Sequence, residues 1–301
     1  MAGLGEKLED IEAPVDPRLS STVPPFGGMP QTADLDELVA RVLAPNASHM
    51  TLDGTNTYVI GVPGSGAAVV VDPGPDDAGH RRRVDAALGA RDAECALVLV
   101  THHHIDHAAA AQGWAASYGC RVAAPTRAVA GESGQVVEDG DRLSFGGLAI
   151  EVVATPGHSS DHTAYRLPNG VVMTGDHVLG RGTSVVAFPD GDLLAYVTSL
   201  RAVLGLGPDA LYPGHGPEMT EDATGVVQFY LDHRAFRERQ VRAVLNEGPQ
   251  TPRRLVERIY ANVDQRLWRA AESSTRACLA KLTAEEAVAT DPANADTFRL
   301  V

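Results

Sequence analysis

Apolar and polar positions along the chain fall into two regimes. Up to about residue 220 the apolar residues come in short runs. Ala96-Leu97-Val98-Leu99-Val100 is unbroken and β-branched, the mark of a strand buried on both faces. Residues 148–153, 170–175 and 209–214 read as further strands, and residues 57–60 and 67–71 as two more around a Gly/Pro turn. Residues 80–88 and the Ala-rich stretch 108–118 predict helices, and residues 122–124 the next strand, so β-helix-β spacing on either side of residue 120 suggests two similar halves. From Phe229 onward the period becomes helical. Phe236, Val241, Val244 and Leu245 share one face; Thr251-Pro252 starts a second helix carrying Leu255, Val256, Ile259 and Tyr260. A third holds Leu267, Trp268, Ala271, Ala277, Cys278, Leu279 and Leu282, and residues 288–300 read as a β-ribbon. Residues 1–35, broken by Pro14, Pro17, Pro24, Pro25 and Pro30, read as a flexible extension or strap.

The chemistry sits where strands end. Thr101 to His107 reads T-H-H-H-I-D-H directly after the strand at 96–100, placing His102, His104, Asp106 and His107 on a turn where they can converge, with His103 and Ile105 as spacers. Three later strands also end on metal-binding side chains: His158 after Thr155-Pro156-Gly157, Asp176 after Thr174-Gly175, and His215 after Pro213-Gly214. Reactive groups collect at the carboxyl ends of strands in open α/β sheets, so four such ends can share one crevice. Seven nitrogen and oxygen ligands suffice for two metal ions with a bridging carboxylate. They suit zinc, with manganese or iron as alternatives.

The series H-x-H-x-D-H, P-G-H, T-G-D and P-G-H-G resembles the metallo-β-lactamase superfamily of binuclear zinc hydrolases. The stretches 52–58 and 175–183, with the helical tail, are similar to the lactamase-beta-like protein 2 group, whose best-characterised relatives are zinc endoribonucleases acting on single-stranded RNA. The resemblance implies an α/β fold: a four-layer αββα sandwich over residues 36–230. It further implies that His102, His104 and His158 hold one metal, Asp106, His107 and His215 the other, and that Asp176 bridges them. A metal-bridging hydroxide is then the expected nucleophile, oriented by Asp106. In the family Asp72 lies near the metals as an outer group; as a plain turn residue it has a second explanation. His162 is expected to act in catalysis, supporting a ligand or moving a proton, with a surface-turn histidine as the competing account. His177 should point to the opposite face of its strand. The three helices and ribbon over residues 231–301 resemble a winged-helix module.

Composition narrows the rest. At 301 residues the chain fits one α/β domain plus a smaller unit. No apolar run reaches the roughly 20 residues of a membrane span, and the start lacks the basic and apolar pattern of a signal peptide, so no membrane partner is expected. Cys95, Cys120 and Cys278 form no C-x-x-C pair, which suits a reducing cytoplasm. A net charge of -14 argues against tight non-specific nucleic-acid binding, although the tail from His233 carries twelve Lys and Arg against nine Asp and Glu. Arg253, Arg254, Arg266, Arg269 and Arg276 would suit phosphates. Two substrate classes follow: single-stranded RNA cleaved as a phosphodiester, and a small-molecule ester, thioester or lactone. A non-catalytic metal-binding protein is the third reading. No feature of the chain fixes an oligomeric state.

Overall fold

The short apolar runs are realised as two stacked sheets. The computed structural model describes residues 6–20, 24–292 and 294–301. The first sheet takes its strands in sequence order: β1 (Thr32–Asp34), β2 (Val39–Leu43), β3 (Asn56–Ile60), β4 (Gly66–Val71), β5 (Ala93–Leu99), β6 (Arg121–Ala124) and β7 (Gln135–Val136). The second comprises β8 (Arg142–Phe145), β9 (Leu148–Ala154), β10 (Thr163–Arg166), β11 (Val171–Gly175) and β12 (Ala210–Pro213), in the order β12-β11-β10-β9-β8. The run from β4 to β7 is parallel, as is β11 with β12.

Alternation along β5 shows how one strand serves two cores. Leu97 and Leu99 pack between the sheets with Ile60, Val71, Ile150 and Met173. Val98 and Val100 face the helix layer of α1 (Ala78–Ala90), α3 (Ala111–Tyr118) and the one-turn α4 (Arg127–Ala130), in one cluster with Val84, Leu88, Trp114 and Ala130. A fully buried Leu or Val contributes roughly 1.5 to 3 kcal/mol by leaving water. Slipping this strand by one residue would exchange the two sets and is disfavoured on both faces. The outer face of the second sheet, Ala164, Val172 and Leu211, is covered by α5 (Leu193–Gly205) and the tail, completing the four layers. α5 was not expected. It begins on Asp192, whose side chain accepts from Ala195 N, and is the crossover that lets β11 and β12 run parallel.

The tail holds α6 (Ala223–Asn246), α7 (Pro252–Ile259), α8 (Trp268–Ala284) and a ribbon of β13 (Val288–Asp291) with β14 (Asn294–Leu300). Pro252 stands at the first turn of α7 and Thr251 caps it, accepting from Arg254 N. The junction expected at residue 230 falls inside α6. That helix packs on α5 with Val226, Val227 and Tyr230 and continues into the tail core with Val241, Val244 and Leu245.

The amino-terminal segment is strapped to the body over its described part; residues 1–5 and 21–23 of the expected extension lie outside the described residues. Ile11 and Met29 are buried. Arg18 reaches the loop after β11, donating from Nη1 to Leu179 O (2.5 Å) and from Nη2 to Gly182 O (2.6 Å), with Asp16 neutralising it. The three cysteines are free, yet Cys95 and Cys120, far apart in sequence, bring their sulfurs to 3.9 Å. No helix among the described residues is long and apolar enough to cross a membrane.

Candidate metal centre

The T-H-H-H-I-D-H stretch is not one turn throughout. Residues 101–103 bend away from β5, His104 is extended (ψ 141°), and a one-turn helix, α2 (Ile105–Ala108), carries Asp106 and His107. The change of conformation at His104 sorts the ligands into two sets. His102 and His104 go with His158 and Asp176, and their ligand atoms all lie within 4.8 Å of one another. Asp106 and His107 go with His215, again within 4.8 Å. All seven candidate ligands therefore meet in one crevice. The spacers do not: His103 is exposed and pairs with Asp161 (2.8 Å), and Ile105 faces solvent.

In the first set, His104 Nδ1 lies 2.9 Å from His102 Nε2 and 3.1 Å from His158 Nε2. In the second, His107 Nε2 lies 3.2 Å from His215 Nε2, and Asp106 Oδ2 is 3.1 Å from His215 Nε2. Asp176 stands between. Its Oδ2 is 3.6 Å from His158 Nε2, while its Oδ1 is 3.4 Å from His107 Nε2 and 3.3 Å from His215 Nε2. Those approaches to Oδ1 are ion-pair distances without hydrogen-bond geometry, and Oδ1 is buried with no hydrogen-bond partner.

Four of the five rings, all but His104, are fixed by the other nitrogen. His107 Nδ1 meets Asp72 Oδ2 at 2.8 Å, and the same carboxylate accepts from Thr101 N and Oγ1 (both 2.8 Å). Asp72 is thus an outer acceptor, the first of its two explanations. His102 Nδ1 meets Thr101 Oγ1 (2.9 Å), His158 Nδ1 meets Val185 O (2.8 Å) and Ser184 Oγ (3.0 Å), and His215 Nδ1 meets Gly54 O (3.1 Å). Such contacts set tautomer and ring orientation, leaving the inward nitrogens as donors to a cation. The backbone acceptors among them, Val185 O and Gly54 O, had no sequence signal.

His162 lies behind the centre. It is fully buried; its Nδ1 meets Thr155 Oγ1 at 2.8 Å and its Nε2 accepts from Asp176 N at 3.1 Å. An imidazole whose Nε2 accepts is neutral with its proton on Nδ1, and burial holds its pKa well below the ordinary value, with His177 adding to the shift. Both nitrogens are spent on structure, so the ring positions the Asp176 backbone and has no free proton for a leaving group. Of the accounts considered for it in the sequence, supporting a ligand describes that place, whereas a surface turn and a proton donor do not. His177 points away from the ligands, its ring 4.5 Å from that of Tyr196, as expected.

Electrostatics divide the centre the same way. Burial lowers His102 far below its usual pKa, lowers His158, and takes His104 down to about 4 with His158 adding, so these imidazoles are neutral. Burial opposes charge on His215 too, but Asp176 and Asp106 lift it to about 9; at His107, Asp176 and Asp72 overcome burial and raise it well above normal. Burial likewise opposes ionisation of Asp176, yet His215 and His107 hold it well below the carboxylate range. The two carboxylates demand positive charge in the second set. Neutral imidazole donors, a buried acceptor lacking a partner and a local demand for cationic charge together fit divalent metal ions.

A four-layer sandwich with His and Asp side chains clustered at its strand ends is the frame of a potential metal-binding site. Residues 50–215 match the Metallo-beta-lactamase superfamily and residues 251–295 the Beta-lactamase associated winged helix domain, and the chain belongs to the metallo-beta-lactamase superfamily. Among its relatives, the Beta-lactamase-like protein 2 homolog of Drosophila melanogaster is 30% identical, over 85% of this chain and 91% of that protein. The Atrochrysone carboxyl ACP thioesterase of Aspergillus fumigatus is 31% identical, over 78% of this chain and 77% of its own. The fold recurs in a Beta-lactamase domain protein from Burkholderia ambifaria (TM-score 0.76, 20% identity, 98% of each chain). It recurs also in a metallo-beta-lactamase family protein from Thermus thermophilus (TM-score 0.74, 21% identity, 89% of this chain and 100% of that one).

Proposed function

We propose that the chain is a hydrolase working with two divalent metal ions, preferably zinc, on small ester or thioester substrates. His102, His104 and His158 would hold one ion, Asp106, His107 and His215 the other, and Asp176 would serve both. The observation that carries this reading is the Asp176 carboxylate, whose two oxygens face separate histidine sets and whose Oδ1 has no other partner. Two ions held there supply Lewis-acid charge and make water acidic enough to attack a carbonyl near neutral pH. Asp106 has the most open ligand side chain of the second set, 25% exposed against 0% and 1% for His107 and His215. It is therefore the carboxylate that meets the attacking water and orients it.

Two features favour an acyl substrate over RNA. Arginines expected to meet phosphates are spent on acids: Arg253 and Arg254 on Glu257, Arg266 on Asp264, and Arg276 on Glu272 and Asp296. Among those five, only Arg269 lacks an acidic partner within the described residues. A cavity of about 410 Å³ also lies between the 179–185 loop, α6 and the tail, with Met50, Leu52, Leu179, Val263 and Leu267 in its wall. That size and lining suit an apolar acyl body. Similarity to a protein named as a carboxyl ACP thioesterase supports the same class.

The test is to present zinc-reconstituted protein with a panel of esters and thioesters and with labelled single-stranded RNA. Ester or thioester turnover that disappears on chelation and returns with zinc is expected. RNA cleavage without ester turnover would overturn the substrate class, and undiminished hydrolysis after chelation would overturn the metals. Elemental analysis should give two zinc per chain. Replacing Asp72 with Asn removes one acceptor from His107 while tolerating its positive φ of 49°. Affinity of the Asp106/His107/His215 site should fall about 10- to 100-fold in a chelator competition, with the first site unchanged.

A further inference from the structure

We infer that the 410 Å³ cavity is an anion-recognising specificity pocket, taking a carboxylate or phosphate on the apolar body of the substrate and holding it on Arg237, Arg234 and His233. The word substrate rests on the reading above; the pocket is argued from different residues.

α6 presents His233, Arg234 and Arg237 to the cavity wall within just over one helical turn. Arg234 is only 7% exposed. Its Nη2 donates to Ser184 O (2.6 Å), its guanidinium lies 4.7 Å over the Tyr196 ring, and its Nε is buried with no acceptor. Arg237 donates from Nε to His233 Nε2 (3.3 Å) and from Nη1 to Gln240 Oε1 (2.9 Å), and stacks 4.4 Å over the Tyr260 ring. Every one of these partners is neutral.

That arrangement is unusual for this chain. The other fully buried arginines each have an acid, Arg18 with Asp16, Arg41 with Glu218 and Arg91 with Asp34, as does the half-buried Lys281 with Glu238. With 39 acidic residues against 25 basic ones, acids are the commoner partner, yet among the described residues none reaches Arg234 or Arg237. A buried charge is costly unless paired, and two guanidiniums on one cavity wall compound the cost, so the missing partner is an anion from outside the chain.

His233 supplies a further donor. Its Nε2 accepts from Arg237, so its proton is on Nδ1, and that atom is buried without an acceptor. Burial, reinforced by Arg234 and Arg237, pushes its pKa down to about 3, so the ring stays neutral. A fork of guanidinium N–H groups with an adjacent imidazole N–H matches a planar carboxylate or a phosphate.

The pocket also communicates with the metal centre. Ser184 and Val185 line the cavity, and the same two residues hold His158 Nδ1. A molecule anchored by its anion on Arg237 therefore lies against the wall that positions a metal ligand.

The experiment is a calorimetric titration of zinc-loaded protein with octanoate, octyl phosphate and 1-octanol. At least one anion should bind, and octanol should bind at least about 10-fold more weakly. Arg237→Gln should weaken anion binding about 10- to 100-fold, the range for losing hydrogen bonds to a charged group, and Arg237→Lys should restore part of it. Whichever anion binds more tightly identifies the head group. Asp176→Ala, which lacks the central ligand, should still bind the anion; binding lost there but kept in Arg237→Gln would put the anion on the metals and overturn the pocket. No anion binding by the wild type would overturn it as well. If Arg237→Gln melts early, a crystal of wild-type protein grown with octyl phosphate decides the question, with the phosphate beside Arg237 or only at the metals. An enzyme without metal-dependent hydrolysis but with Arg237-dependent anion binding would sink the proposed function and leave the pocket standing.

Discussion

Asp176→Ala should strip both metals and lower kcat/KM by roughly 10³-fold or more, the scale set by removing a central electrostatic element of an active site. Each carboxylate oxygen serves a different set, so one substitution removes a ligand from both. The four rings around it cannot move in to compensate, because Asp72, Thr101, Ser184 with Val185, and Gly54 hold their outer nitrogens. Asp176 contributes nothing to the apolar cores, so far-ultraviolet circular dichroism should be unchanged. Metal content and turnover are measured on the same preparation. Two zinc per chain with turnover intact in this variant would end the binuclear account.

How much of this was legible in the chain depends on which atoms do the work. The seven candidate ligands were legible as a cluster because each is a rare side-chain type placed just after an apolar run, beside a Gly, a Pro or another candidate. The four layers were implied by the family resemblance, while the short apolar runs marked the strands and the helical period marked the tail. α5 was missed because Leu193, Tyr196, Leu200 and Val203 follow a stretch, residues 180–192, whose Gly, Thr and Pro content reads as loop throughout. The short α2 was missed because one helical turn has no period to detect. Neutralisation of the tail arginines was partly visible: Glu257 stands four and three residues after Arg253 and Arg254, the spacing at which charges pair on a helix. His162 shows a different limit. Its residue type and its place four positions after His158 suggested chemistry, but its role depends on a backbone N–H that only the folded chain brings within 3.1 Å.

Gly214→Ala should disable the centre almost as thoroughly while adding only one methyl group. Gly214 links β12 to His215, donates its N–H to Gly175 O (2.7 Å) and accepts at its carbonyl from Asn56 N (2.8 Å), so its backbone is held from both sides. A Cβ built there falls 2.7 Å from Asp176 Oδ1 and 2.7 Å from His107 Cε1, closer than real Cβ contacts. Those neighbours cannot give easily. Asp176 is tied through its N–H to His162, and the His107 ring through Nδ1 to Asp72. The methyl group must therefore displace the shared carboxylate, the second-set histidine, or the strand end carrying His215. Geometric errors of about 1 Å in a reacting site cost on the order of 10²-fold in rate. The expected result is turnover down by about 10²-fold or more and a second-site zinc affinity below that of Asp72→Asn, with the urea midpoint of the metal-free protein shifted far less. Wild-type activity and two zinc per chain in Gly214→Ala would mean that the glycine before His215 serves only the turn, and that the shared carboxylate has room the packing denies it.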